Sequence, residues 1–251
     1  MLESRQLSEA DRAANRVLPH NEHFPVHRHT RAHLVYAASG ALTVTTPRGT
    51  AIAPTNRAAW TPAGVDHQHR AYGHTDMRIL YVPHPYAEAL PADPVVLAIS
   101  PLVREVILAL TGPREYPPED WDRMRDVVLA ELAREPEQPL HLPEPVDPRL
   151  RAATDLLHAD PASTSTLAQL GQAIGAGERT LSRLFHTELG MSFRQWRTQL
   201  RIQRSLILLA EGRTVLDTAT ACGWSNPSTF IDAFTALLGE TPSRYRSRPV
   251  G

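Results

Sequence analysis

Histidine is the residue whose placement in this 251-residue sequence points most directly to chemistry. Ten of the twelve histidines precede Pro148. His27 and His29 flank Arg28. In a strand, where side chains alternate, two imidazoles spaced in this way leave from one face. His33 follows four residues later, and Gly40 stands seven beyond it. Downstream, Pro62-Ala63-Gly64-Val65-Asp66-His67 reads as a turn that delivers a further imidazole. Neutral imidazoles suit zinc, nickel, copper or iron over magnesium or calcium. Thr30, Arg31 and Asp66 are candidates to orient the rings from behind.

A second concentration of chemistry is cationic. From Pro148 onward there are 12 Arg against 8 Asp and Glu, a net of +4. Before Pro148 there are 14 Arg against 19 acids, a net of −5, and the two halves give the overall −1. A basic half is what release of counterions from a phosphate backbone requires. Lysine is absent, and a single cysteine, Cys222, excludes an internal disulfide framework. No signal peptide or long apolar run is apparent, so the expectation is a cytoplasmic protein with no membrane segment.

The basic half contains one supersecondary unit written twice. Leu181, Phe185, Leu189, Gly190, Ser192 and Trp196 recur 49 positions later as Phe230, Phe234, Leu238, Gly239, Thr241 and Tyr245. Each copy is preceded by a short apolar helical pattern (Leu167, Leu170, Ile174; then Val215, Ala219, Cys222) and a glycine-containing break. Helix, glycine turn, helix is the helix-turn-helix, whose second helix can enter a major groove. Between the copies, Phe193 to Ala210 reads as a connecting helix, with Ser192 and Gln195 as a capping box and Gly212 closing its end. One face of that helix carries Arg194, Arg197, Arg201 and Arg204, open to being a plain solvated face or a DNA-facing one.

Residues 165–246 resemble the C-terminal DNA-binding domain of AraC/XylS-type transcription regulators. The resemblance is carried by Leu-Ser-Arg-Leu-Phe at 181–185, Gly190, Ser192-Phe193, Gln195-Trp196-Arg197 and Leu200-Arg201. Gly223-Trp224, Ser228-Thr229-Phe230, Ala233-Phe234, Gly239 and Thr241-Pro242-Ser243-Arg244-Tyr245 complete it. It implies that Arg179, Ser182 and Arg183 face the groove, with Arg183 placed for a bidentate guanine contact, while Leu181, Leu184 and Phe185 are core. In the second copy it implies Asn226, Ser228 and Asp232 as the DNA-facing positions. Two departures stand out. Gly177 replaces the usual Ser cap, and Asp232 places an anion where phosphate or a base is expected.

The first half reads as short strands broken by Gly and Pro: His33–Tyr36, Ala41–Thr45, Ala51–Ala53, Arg57–Trp60 and Met77–Val82. Such a run favours a small barrel or jelly roll. His-X-His followed by Gly40, and Pro-X-Gly with His67 three positions on, resemble the two motifs of cupins. The resemblance implies a metal ligand set of His27, His29, His33 and His67, with His33 in the slot usually held by Glu. Four neutral imidazoles would leave the charge of the ion uncompensated. His69 fits no motif position and is expected at the surface, while His74 is a possible assistant.

The expected fold class is α+β, with a small cupin or jelly-roll-like β-barrel and a helical hairpin, then an all-α domain with two helix-turn-helix units. The expected boundaries are an extension over 1–22, a sensor barrel over 23–93, helical segments over 94–134, a Pro-rich linker over 135–148 and the DNA-binding domain over 149–251. The helical segments, Val95 to Ala109 and Pro118 to Arg134, carry apolar stripes (Val95, Ile99, Leu102, Val106, Leu110; Trp121, Met124, Val128, Leu132). These stripes either close the barrel or form a homodimer interface. The dimer is favoured because it would set four helix-turn-helix units on paired half-sites.

The sequence therefore points to a non-enzymatic, ligand-responsive regulator of double-stranded DNA. Its expected cofactor is a divalent transition ion: Zn, Ni, Co or Fe(II). One alternative keeps the regulator and makes the metal structural or absent, with a small organic effector as the signal. A cupin metalloenzyme is the other, opposed by the attached DNA-binding half and by the lack of an acid–base pair beside the histidines.

Overall fold

The computed structural model describes residues 12–135 and 141–246. The chain divides into two compact units, one holding the described residues 12–46 and 52–135, the other 47–51 and 141–246. The strands up to residue 98 are β1 (Ala13–Leu18), β2 (His23–His27), β3 (Ala32–Thr46), β4 (Gly49–Ala53), β5 (Arg57–Thr61), β6 (His67–Val82) and β7 (Val95–Ala98); all lie in the first unit except Gly49–Ala51 of β4, which belongs to the second. The 16-residue β6 is the hub. Its N-terminal part pairs with β2, its C-terminal part with β1, and β3 runs antiparallel along its other edge. A second pairing takes β3 to β5 and β5 to β7.

Alternation then sorts the side chains. On β3 and β6 the even positions Leu34, Tyr36, Leu80 and Val82 join one apolar cluster with Val103, Ile107, Val128 and Leu132. The odd positions Val35, Ala37, Ile79 and Tyr81 form another. His33, His67 and His69 are odd members of the same two strands, so the pleat carries them to the second face. Gly40 sits at a bulge in β3 with φ +73°, and an added Cβ would lie 2.4 Å from Thr75 Oγ1. Only glycine fits there.

Three expectations change in this unit. Part of the supposed N-terminal extension is β1, paired with β6 from Ala13↔Leu80 to Leu18↔Thr75. The expected helix Val95 to Ala109 is divided: Val95–Ala98 pairs with β5, and helix α1 (Pro101–Leu110) starts only after the Ser100 cap, with proline at its first position. The stripes of α1 and of α2 (Pro118–Leu132) close the barrel. Val103, Ile107 and Leu110, then Trp121, Val128 and Leu132, are buried against it, whereas Leu102 is 54% exposed.

Within the second unit, β8 (His141–Pro143) pairs with Gly49–Thr50–Ala51. The expected linker therefore includes a short strand; its residues 136–140 lie outside the described residues. Helices α3 (Pro148–Ala159), α4 (Leu167–Ile174), α5 (Glu178–Leu189), α6 (Phe193–Ala210), α7 (Val215–Ala221), α8 (Pro227–Leu238) and α9 (Pro242–Arg246) follow. The repeat read from the sequence is present in three dimensions. Phe185 packs 5.8 Å from Trp196, and Phe234 packs 6.0 Å from Tyr245, the partners 49 positions on. Gly190 and Gly239 end α5 and α8 with φ of 67° and 75°. Ser192 and Gln195 form the expected capping box. Cys222 is buried at the end of α7, its thiol pushed up to about 11 by burial.

Candidate metal centre and DNA-binding face

Five imidazoles converge in the first unit. His27 ends β2, His29 lies just beyond it, His33 is the second residue of β3, and His67 and His69 open β6. Ring centroids are 4.3 Å apart for His27 and His67, 4.9 Å for His27 and His29, and 4.8 Å for both His29–His33 and His33–His67. His69 lies 5.0 Å from His67 and 5.7 Å from His27. It is 4% exposed, so the expectation of a surface residue is wrong. The error has a plain cause: His67 and His69 are two apart on one strand, and period two puts both inside. His74, by contrast, is exposed.

The ligand nitrogens fall into two overlapping triads, each within 4.8 Å: His29, His33 and His67, and His27, His67 and His69. The four residues expected from the sequence are thus all in the cluster, divided between triads that share His67. Two rings have their tautomer set by a backbone carbonyl, which can only accept. The Nδ1 of His27 donates to Pro25 O at 2.7 Å, and Nδ1 of His67 donates to Val65 O at 2.8 Å. Each Nε2 keeps its lone pair. Buried, and without a hydrogen-bond partner, are both ring nitrogens of His33, Nε2 of His67 and Nδ1 of His69.

Burial is the main reason these rings stay neutral, the form that ligates. It drives His33 and His69 well below the ordinary histidine value and His67 to about 4, with repulsion among the clustered imidazoles adding to the shift. Against this, the hydrogen bond to Val65 raises His67, second in size only to burial, and the backbone of Arg31 raises His33, the smallest of the effects there. His29 is lowered by burial, then by His27 and Arg31. Of the proposed orienting residues, Asp66 instead takes a bidentate contact from Arg28 at 2.7 and 2.8 Å, and Arg31 lies over the Tyr81 ring at 4.4 Å. Neither triad contains a carboxylate. A donor set of neutral nitrogens with orphaned lone pairs fits a borderline transition ion.

In the second unit, α4 and α5 form the first helix-turn-helix. Thr166 and Gln169 make a capping box on α4, and Gly175, at φ 71°, ends it. Gly177 caps α5 with no side-chain bond, as its residue type dictates. Arg179 and Arg183 are exposed and Ser182 is half-buried, while Leu181, Leu184 and Phe185 are core. His186 and Thr187, which no motif position singles out, are also exposed on α5. In the second copy, Ser228 and Asp232 are exposed on α8. Asn226 is the cap of α8, its side chain accepting from Ser228 N at 2.8 Å. No arginine stands on α8. On α6 the supposed basic face divides. Arg194 and Arg204 are exposed, but Arg197 donates to Ser165 O, and Arg201 to the carbonyls of Pro161, Ala162 and Ser163. Those two arginines fasten the α3–α4 loop.

Known proteins carry the same two parts. Residues 170–248 match the family described as a helix-turn-helix domain, and residues 16–83 match the one described as a cupin domain. The HTH-type transcriptional regulator NimR of Escherichia coli (strain K12) is 36% identical over 228 residues, which is 89% of this chain and 82% of that protein. The chain belongs to the AraC/XylS family of transcription regulators. RipA of Corynebacterium glutamicum is 30% identical over 109 residues, 43% of this chain and 33% of that protein. The structure of ToxT from Vibrio cholerae aligns with a TM-score of 0.42 at 11% identity, over 96% of this chain and 100% of that one. This AraC-family protein is a DNA-binding regulator with a cupin domain, not an enzyme. Among its described residues, no helix is long and apolar enough to cross a membrane.

Proposed function

We propose that the cupin barrel of this regulator binds one divalent transition ion through its histidines, and that the ion changes the affinity of the helix-turn-helix units for an operator. One observation carries the reading: four buried ring nitrogens of His33, His67 and His69 have no hydrogen-bond partner. Leaving such a group unpaired costs about 1–3 kcal/mol, a cost that an ion removes for each nitrogen it binds. The ion supplies a positive charge and fixed nitrogen geometry to the barrel, and its ligands are drawn from His27, His29, His33 and His67. For it to act as a signal, its affinity must differ between DNA-competent and DNA-incompetent states, since equal affinity shifts nothing.

On DNA, Arg179, Ser182 and Arg183 read the groove from α5, with Arg183 on a guanine. Asn226, Ser228 and Asp232 mark the weaker second head. The regulator acts in the cytoplasm as a homodimer through the outer faces of α1 and α2, where Leu102 and Val127 are 54% and 40% exposed. Sedimentation giving a monomer at micromolar concentration, with and without metal, contradicts the dimer. For the metal, Zn, Ni, Co and Fe(II) are titrated into stripped protein. One tightly bound ion per chain, lost in His67→Ala, supports the site. No binding of any of the four overturns it. Binding without effect on DNA makes the ion structural and leaves the signal to a small organic effector.

A further inference from the structure

We propose that His69 is itself a metal ligand and that the cluster is a two-position site. One ion occupies either His29, His33 and His67 or His27, His67 and His69, never both sets at once. This rests on the reading that the cluster binds a divalent transition ion, and it adds a residue and a second position to it.

His67 is common to both triads. Its Nδ1 is committed to Val65 O at 2.8 Å, and its Nε2 is buried without a partner. A neutral imidazole so arranged has one lone pair to give. Two ions cannot share it, so the triads exclude one another. His27 is prepared in the same way, with Nδ1 on Pro25 O and Nε2 left to ligate. His69 supplies a buried Nδ1 without a hydrogen-bond partner. Strand register fixes the arrangement: His27 pairs with His67, and Phe24 with His69, so the second triad lies wholly on the β2–β6 ladder. The first triad instead takes His33 from β3 and His29 from the connection between β2 and β3. Exchange of position therefore trades His29 and His33 for His27 and His69 while His67 stays in place.

Co(II) binding, read by its visible absorption and by competition with a chelator, tests this on the full chain. The variants are His33→Phe, His69→Phe, the double variant and His67→Phe, each checked for fold by circular dichroism; glutamine replacements repeat the set for any that misfolds. Wild type takes one ion. Each of His33→Phe and His69→Phe retains one ion with less than about tenfold loss and an altered spectrum, while the double variant and His67→Phe lose more than about a hundredfold, a strongly non-additive pattern. A His69→Phe protein with wild-type affinity and spectrum, beside a His33→Phe protein as weak as the double variant, removes His69 from the site and leaves the metal reading intact. Two ions per chain overturn the exclusivity. No binding by wild type removes the metal reading itself.

Discussion

The interiors of the two units differ in what they bury. Around α5 and α6 the second unit buries Leu181, Phe185, Trp196 and Leu200, and its candidate chemistry stands on the surface as Arg179 and Arg183. The first unit buries His33, His67 and His69 beside Val35 and Tyr81, so its chemistry is in the core. In one unit the candidate functional side chains stay in water. In the other each one is held inside at a loss, because an imidazole nitrogen without a partner is worse placed there than in water.

The sharpest way to break this contrast is through stability. Phe185→Ala should destabilise the second unit by about 3–5 kcal/mol, the usual cost of emptying a packed aromatic site, as a urea melt will show. A loss below about 1 kcal/mol would mean that the core is not packed as described. Next comes pH. In the metal-free protein, His33, His67 and His69 have lower pKa values folded than unfolded, so below about 6.5 the unfolded chain binds more protons. Their contribution is fully present above that value and is lost as pH falls through 6.5 toward the value of about 4 held by His67. Urea midpoints of the stripped protein should fall from pH 7 to pH 4.5, and flat midpoints would contradict the buried, neutral cluster.

Surface chemistry should behave in the opposite way. Arg183→Ala should lose about 1–3 kcal/mol on DNA selected from a random pool, with less loss on bulk DNA and no shift in melting temperature. Equal weakening on both DNAs would reduce Arg183 to a phosphate contact. The smallest effect is expected at Gly177, where α5 has no side-chain cap. Gly177→Ser should stabilise the unit by a few tenths of a kcal/mol, and a destabilised variant would mean the residue is needed for its backbone.

Legibility in the sequence followed the range of the interactions. The helix-turn-helix repeat was readable because its signals are local: apolar positions at helical spacing, the Ser192–Gln195 box, and glycines at left-handed caps. Strand β1 was not readable, since it is defined by a partner some sixty residues away across Ala13↔Leu80 and Leu18↔Thr75. The short apolar run Val95–Ala98 suits helix or strand equally until β5 is beside it. Arg197 and Arg201 looked like a basic face because nothing local reveals carbonyls more than thirty residues away in the α3–α4 loop. His69 is the instructive miss. The alternation that paired His27 with His29 applied equally to His67 and His69, and reading by motif position hid it.

Coupling between the buried histidines and the DNA face, as proposed above, is tested most directly by one equilibrium. The dissociation constant for a selected DNA site is measured with and without saturating zinc, for wild type and for His67→Phe, which lacks the ligand common to both triads. Coupling of about 1–3 kcal/mol predicts a change of about 5–150-fold in wild type and none in the variant. Wild-type protein that binds zinc stoichiometrically and yet holds DNA with an unchanged constant would contradict it.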